Sequence, residues 1–386
     1  MPTPTHAPHL MLVAGESSGD ALGAPLIAAL REATGGAVRF SGIGGPEMMA
    51  AGLAPLFPMA DLSVMGLAEV VPRIPLLRRR LREAEAHALA TKPDALVTID
   101  SPGFAFRLAR RLHGRGPKLI HYVAPQVWVW RPGRAAKVAE FLDHILALLP
   151  FEPPLFEAVG LPCTFVGHPV VASGARSGDG PEFRARHGIA PDAVVLCVLP
   201  GSRHSETSRL LAPFGGAIGM LAQRSTGLRV VIPAVPHLRA EIAAAAADWP
   251  GRPVLVDGVT DKYGAMAAAD AGLAASGTVS LELCLAGLPH VIAYRMSPLT
   301  WAIARRVVRT PYVNLVNVIA GREVVPEILQ GACTPERLAG EVSKLLDDPV
   351  ARASQRAMTA AVIAALTPPR GSPSAAAAAA VLKVVG

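Results

Sequence analysis

The sequence predicts an α/β fold of two consecutive doubly wound domains, each a parallel sheet covered by helices on both faces. Three observations lead there. Short β-branched apolar runs alternate with helical stretches almost throughout the chain. That alternation breaks once, at residues 170–191, and then resumes. The chain has 386 residues, more than one typical domain needs, and is 51% hydrophobic but only 5% aromatic. Ala, Val and Leu therefore supply most of the apolar mass, as suits sheets buried on both faces.

In the first half, residues 10–14, 38–43, 95–100, 119–123, 145–149 and 164–166 read as strands. Helical periodicity lies between them, for example at 73–90 and 135–142. Residues 170–191 include Ser-Gly-Ala-Arg-Ser-Gly-Asp-Gly-Pro and read as a linker. A second strand series follows at 194–199, 229–232, 254–256, 271–275 and 291–294. The remainder is helical, with an Ala-rich stretch from Ser374. The expected division is a Rossmann-like domain at 1–172, a second at 173–350, and C-terminal helices at 351–386. Those helices either return to the first domain or exchange between two copies in a homodimer. Two such domains facing a central cleft make the GT-B architecture of many nucleotide-sugar transferases, which by itself fixes no chemistry.

The formal charge of +7 suits nucleic acid, anionic lipid or phosphorylated substrates alike. The basic residues are scattered, apart from a dense run at Arg78, Arg79, Arg80 and Arg82. With no zinc-finger spacing, RNA-binding aromatic signature or long basic tail, nucleic acid is disfavoured. Cys163, Cys197, Cys284 and Cys333 lie far apart and lack metal-ligand spacing, so they read as buried reduced thiols, fitting the cytoplasm. Residues 10–14 are a strand-like run rather than a secretory signal, and no stretch reaches the about 20 apolar residues that span a bilayer. The expectation is a soluble or peripheral protein.

Ligands of doubly wound sheets gather at the carboxyl ends of strands, so the loops there carry the chemistry. Gly15-Glu16-Ser17-Ser18-Gly19-Asp20 follows the first strand without the dinucleotide spacing. Glu16 would repel a phosphate, so the loop binds sugar hydroxyls or is a capped turn. Asp100 ends the next apolar run, placed to act as general base toward an acceptor hydroxyl or to cap the helix from Pro102. Ser101 would cap equally well. Around Trp128 and Trp130, with Gln126 and Arg131, aromatic rings form either a sugar-stacking wall or core. His121 alone points nowhere. In Pro200-Gly201-Ser202-Arg203-His204-Ser205-Glu206, a close-approach glycine, a hydroxyl, a forked donor and a helix start converge on phosphate binding. In Ser276-Gly277-Thr278-Val279-Ser280-Leu281-Glu282, backbone N–H groups of Ser276 and Gly277 face a helix start. Glu282 lies one turn beyond Thr278, where it accepts ribose hydroxyls or simply complements the helix dipole.

These stretches, taken with others in order, resemble the lipid-A-disaccharide synthase family over nearly the whole chain. The motifs are AGESSGD (14–20), GIGGPEM (42–48), MGLAEV (65–70), HYVAPQVWVWRPGR (121–134), FVGHP (165–169), LPGSRHSE (199–206), SGTVSLE (276–282) and PYVNLVNVIAGRE (311–323). Each is weak alone; the ordered set is specific. The resemblance implies an inverting transfer from UDP-2,3-diacylglucosamine to 2,3-diacylglucosamine 1-phosphate, giving a β-1,6 disaccharide and UDP. It also implies a GT-B fold, no metal or cofactor, and a peripheral place on the cytoplasmic face of the inner membrane. The absence of any D-x-D is consistent with the missing metal.

Joined to the loop reading, the resemblance makes Asp100 the base, with Glu16 a second acidic candidate and Ser17, Ser18 and Gln126 beside the sugars. Arg203, with Gly201 and Ser202, would neutralise charge on the UDP phosphates. Ser276, Gly277 and Thr278 would add donors, and Glu282 would hold the ribose. Asn317 and Gln330 match amides of the family's C-terminal region, as substrate contacts or as structural hydrogen bonds. One departure stands out: the family commonly reads Asp-x-Pro-Asp-Phe-Asn around the base, whereas Gly103 and Ala105 occupy the last acidic and amide positions here. Roles at those two positions do not carry over.

Residues 64–80 set closely spaced apolar residues beside the arginine run. That is either a core helix with a basic face or an insertion device for anionic membrane, and acylated substrates favour the second. The rival functions are a soluble UDP-N-acetylglucosamine transferase or epimerase, a non-catalytic nucleotide-sugar-binding protein and, weakest, a nucleic-acid-binding protein. Activity on unacylated sugar would mark the first.

Overall fold

The computed structural model describes residues 7–62, 67–129, 133–225, 227–308 and 310–386. It divides into two compact units, the first running to Pro169 and regaining the chain at Leu366–Gly386, the second spanning Val170–Ala365.

The first unit runs β1 (His9–Ala14), α1 (Ser17–Ala33), β2 (Arg39–Ile43), α2 (Pro46–Ala50), α3 (Leu67–Thr91), β3 (Ala95–Ile99), α4 (Pro102–Leu112), β4 (Lys118–Tyr122), α5 (Arg134–Ala139), β5 (His144–Ala147), α6 (Pro153–Glu157) and β6 (Cys163–Phe165). Its six strands are all parallel, in the order β2-β1-β3-β4-β5-β6. Period-two alternation sends β1 side chains to both faces. Met11 and Val13 join the core under α3 and α4, whereas Leu10, Leu12 and Ala14 join the core under α1. Both faces are dry, which explains the unbroken apolar run.

The second unit runs α7 (Gly180–Arg186), β7 (Val195–Leu199), α8 (His204–Arg224), β8 (Arg229–Pro233), α9 (Arg239–Ala246), β9 (Val254–Val256), α10 (Gly258–Ala268), β10 (Ala271–Ala275), α11 (Val279–Leu285), β11 (His290–Tyr294), α12 (Pro298–Val307), α13 (Leu315–Ala320), β12 (Glu327–Leu329), α14 (Pro335–Asp347) and α15 (Pro349–Leu366). Its order is β12-β11-β10-β7-β8-β9, again all parallel. Counted within the unit this is the 3-2-1-4-5-6 winding of nucleotide-binding sheets.

Three expectations change. Residues 170–191 are not a bare linker, because they contain α7. Its start is capped by Asp179, which accepts from the Glu182 N–H at 2.8 Å. Arg184 locks it down through the Ala268, Ala190 and Ala193 carbonyls. Gly178 and Gly180 lie against the backbone of α10, where a Cβ would collide with carbonyl oxygens, so these glycines serve close packing rather than flexibility. The chain also leaves the second unit at Leu366 rather than at 351. Gln355 of α15 pairs with both backbone groups of His290 (2.6 and 3.2 Å), which holds α15 to β11. What returns is α16 (Pro373–Val385), whose Ala377, Ala378 and Val381 complete the apolar layer over α1. Finally, α3 begins at Leu67 and continues through Pro72 and Pro75, ahead of the start expected at 73. Among the described residues, no helix is long and apolar enough to cross a membrane.

Candidate active site

In each sheet the strand order reverses once, between β1 and β3 in the first and between β7 and β10 in the second. Loops leaving such neighbours part in opposite directions and open a crevice at their carboxyl ends. Four of the five loops singled out in the sequence sit at these two places.

In the first unit, Gly15 and Gly19 let the start of α1 press against the end of β3. A Cβ on Gly15 would stand 2.7 Å from Ser101 Oγ, and one on Gly19 would stand 2.9 Å from the Ile99 carbonyl. Ser18 Oγ donates to Asp100 Oδ2 at 2.7 Å. Asp100 and Ser101 both adopt left-handed backbone, at φ +53° and +43°, a conformation that costs on the order of 1 kcal/mol or more per non-glycine residue. Neither side chain caps α4. The capping alternative is therefore absent, and the strained turn holds a half-buried carboxylate beyond the strand, oriented by Ser18. Glu16 and Ser17 are exposed and line a separate recess of about 440 Å³ with Gly45 and Met59.

Asp20 does not cap its own helix. Buried, it accepts from the N–H groups of Gly45 (2.8 Å), Glu47 (3.0 Å) and Met48 (2.9 Å) at the start of α2. It thereby joins the AGESSGD and GIGGPEM stretches by charge-assisted bonds.

Beyond β4, Gln126 is exposed. Trp128 packs edge-on against Phe151 and donates to Glu152 Oε1 at 3.3 Å; of the two readings offered for it, packing is the one seen. Trp130 and Arg131 lie outside the described residues. His121 is buried, bonded to Thr98 at 2.8 Å and pushed down to about 3 by burial, so it stays neutral.

Glu152 is buried and also accepts from the Leu149 N–H at 3.0 Å; burial pushes its carboxyl up to about 7. The folded chain thus keeps a proton there that the unfolded chain releases. The resulting stability is full below the unfolded carboxyl pKa and lost as pH rises through the folded one. Glu152→Gln lacks this dependence. In urea titrations, wild type should lose on the order of 2–3 kcal/mol relative to Glu152→Gln between about pH 5 and 8. A pH-independent difference would contradict the assignment.

In the second unit, a cavity of about 490 Å³ opens at the ends of β7, β8 and β10. Gly201, at φ +125°, has no room for a Cβ beside Glu206. Glu206 reaches back from the first turn of α8 to the Ser202 N–H (2.9 Å) and pairs with Arg203 (3.3 Å). The Arg203 side chain is 71% exposed at the cavity's edge. On the β10 side, Ser276 gives its N–H to the Ala293 carbonyl. Contrary to expectation, its backbone N–H is not available to a ligand, although the residue still lines the cavity. Glu282 lines it too, held by Lys262 (2.7 Å) and the Tyr263 hydroxyl (3.1 Å). Lys262 was missed in the sequence. It follows β9 and the Asp257-Gly258 turn, a strand-end loop that carries no recognisable motif.

For Asn317 the structural alternative is the one seen. Fully buried, it accepts from the Val324 and Val325 N–H groups (2.7 and 2.9 Å) and donates to the Val325 carbonyl and Glu327 (2.8 and 2.7 Å). All four of its hydrogen-bond positions are filled. Gln330, at φ +51°, turns its amide to the Met296 backbone, donating to the carbonyl at 3.2 Å and accepting from the N–H at 3.0 Å. It too serves the loop.

Two all-parallel six-stranded sheets, each with polar groups gathered at its own reversal point, define a GT-B-type α/β protein. The chain is similar in fold to the UDP-GlcNAc 2-epimerase of Neisseria meningitidis (TM-score 0.62, 12% identity, 98% of this chain and 99% of that one). It is likewise similar to the calicheamicin glycosyltransferase (TM-score 0.60, 18% identity, 99% of both chains). A family model described as lipid-A-disaccharide synthetase matches residues 10–381. The lipid-A-disaccharide synthase of Rhodospirillum centenum is 58% identical over 348 residues, covering 90% of this chain and 87% of the relative. The chain belongs to the lipid-A-disaccharide synthetase family, and is a glycosyltransferase of lipid A biosynthesis.

Proposed function

We propose that the chain moves a 2,3-diacylglucosaminyl unit from UDP to the 6-hydroxyl of 2,3-diacylglucosamine 1-phosphate, at the cytoplasmic face of the inner membrane. The acceptor oxygen attacks the anomeric carbon and the bond to the UDP oxygen breaks. Asp100 takes the hydroxyl proton, and the α-linked donor becomes a β-1,6 linkage. The observation that carries this reading is Asp100 itself: a carboxylate on strained backbone at a strand-order reversal, bonded to Ser18 and freed from capping.

Donor binding falls to the second unit. Arg203 and the Ser202 hydroxyl face the pyrophosphate, joined by the Ser276 hydroxyl and the N–H groups of Gly277 and Thr278, while Glu282 accepts from the ribose. Lys262 holds the Glu282 side chain at the cavity wall. Glu16 and Ser17 meet the acyl-sugar side, with Gln126 at its edge. For membrane contact, Ile74, Arg73, Arg78 and Arg79 are exposed and Leu76 and Leu77 half-buried; residues 63–66 lie outside the described set.

The test is direct. Purified full-length protein with both acylated sugars should release UDP and disaccharide in equal amounts. Hydrolysis or epimerisation of the donor without disaccharide would overturn the proposal.

A further inference from the structure

A further recess of the first unit lies beside the Asp100 turn. About 700 Å³ lies between α3 and α4, over an apolar floor that includes Leu77, Leu81 and Phe104, and reaches Ser101 beside Asp100. A second recess of about 540 Å³ shares Gly103, Arg107 and Arg110 with it and adds Arg134 and Lys137. Among the described residues no carboxylate lines either one, whereas Glu206, Asp257 and Glu282 line the donor cavity.

The two arginines that divide the recesses differ from their neighbours. Arg111 is bonded to Glu85 at 2.7 Å. Arg110 rests its guanidinium on the Phe141 ring at 4.6 Å, and no carboxylate pairs with it among the described residues. Arg107 is exposed, and no carboxylate pairs with it among the described residues. Gly103, Arg107 and Arg110 share one face of α4 at helical spacing. A Cβ at Gly103 would meet nothing, so the path from Asp100 to these arginines is open. Along the axis, Arg107 stands about 6 Å and Arg110 about 10 Å beyond Gly103.

Forked cations above an apolar floor, on the helix that directly follows Asp100, match an amphiphile with a phosphomonoester head. We propose that Arg107 and Arg110 bind the anomeric phosphate of the acceptor, with one acyl chain in the cavity below them. This rests on the reaction proposed above. The acceptor carries its phosphate and acyl groups on carbons 1, 2 and 3, away from the 6-hydroxyl that Asp100 meets.

The test compares wild type, Arg107→Gln and Arg107→Gln/Arg110→Gln, using detergent-dispersed acceptor with and without its anomeric phosphate. With the phosphate, kcat/KM for the acceptor should fall about 10- to 100-fold in Arg107→Gln and further in the double variant. The donor KM and melting temperature should hold. Without the phosphate, all three proteins should perform alike. Isothermal titration with acceptor alone should show the same preference, independent of turnover, so the subsite and the reaction fail separately. Equal losses on both acceptors would overturn the phosphate assignment. So would unchanged micellar kinetics with lost sedimentation on phosphatidylglycerol vesicles, which would give these arginines to the bilayer. Leu77→Gln should raise KM for long-chain but not short-chain acceptors; a loss independent of chain length would remove the acyl half.

Discussion

Asp100→Asn is expected to lower kcat by about 10³-fold, the usual contribution of a positioned general base, with little change in either KM. The variant isolates the proton transfer. Asn tolerates left-handed backbone at least as well as Asp, so φ +53° is retained. Its side-chain oxygen can still accept from Ser18, which stands 2.7 Å from Asp100. Asp100→Ala would be a poorer probe, since a Cβ without a local hydrogen bond is strained there. Steady-state kinetics with saturating acylated sugars, beside a thermal melt, reads the result. A loss under tenfold would remove Asp100 from the proton-transfer step.

Arg203→Ala is expected to cost about 10²–10³ in kcat, as for other preorganised donors aimed at developing charge. In the resting protein Arg203 contributes little to stability. Its pair with Glu206 is exposed at the guanidinium, and such pairs contribute about 0–1 kcal/mol. Glu206 keeps its bond to the Ser202 N–H, so the loop is preserved. A variant that folds normally and turns over slowly therefore reports on the departing UDP. Near-normal turnover would reject the role.

Much of this was legible in the sequence because parallel strands buried on both faces leave unbroken apolar runs. Their ends then mark the loops that hold Asp100 and Arg203. What was not legible depends on partners distant in the chain. Asp20 lies in a loop that read as a possible capped turn, but its three donors come from residues 45–48. Asn317 read equally as a substrate contact or a structural amide, and a loop returning at residues 324–327 fills its hydrogen bonds. Ser276 does follow a strand, yet β11 takes its N–H. The glycines at 178 and 180 suggested flexibility, whereas α10 packs against them too closely for a side chain. β12 is only three residues long, and its register is set by pairing with β11 rather than by its own pattern.

The claim beneath all of this is one displacement, in which an acceptor oxygen replaces UDP while a carboxylate removes its proton. The anomeric proton coupling of the newly made disaccharide, read by NMR, tests it most directly. The account predicts the large coupling of a β linkage from the α-linked donor. A small coupling, marking an α linkage, would mean retention and contradict it.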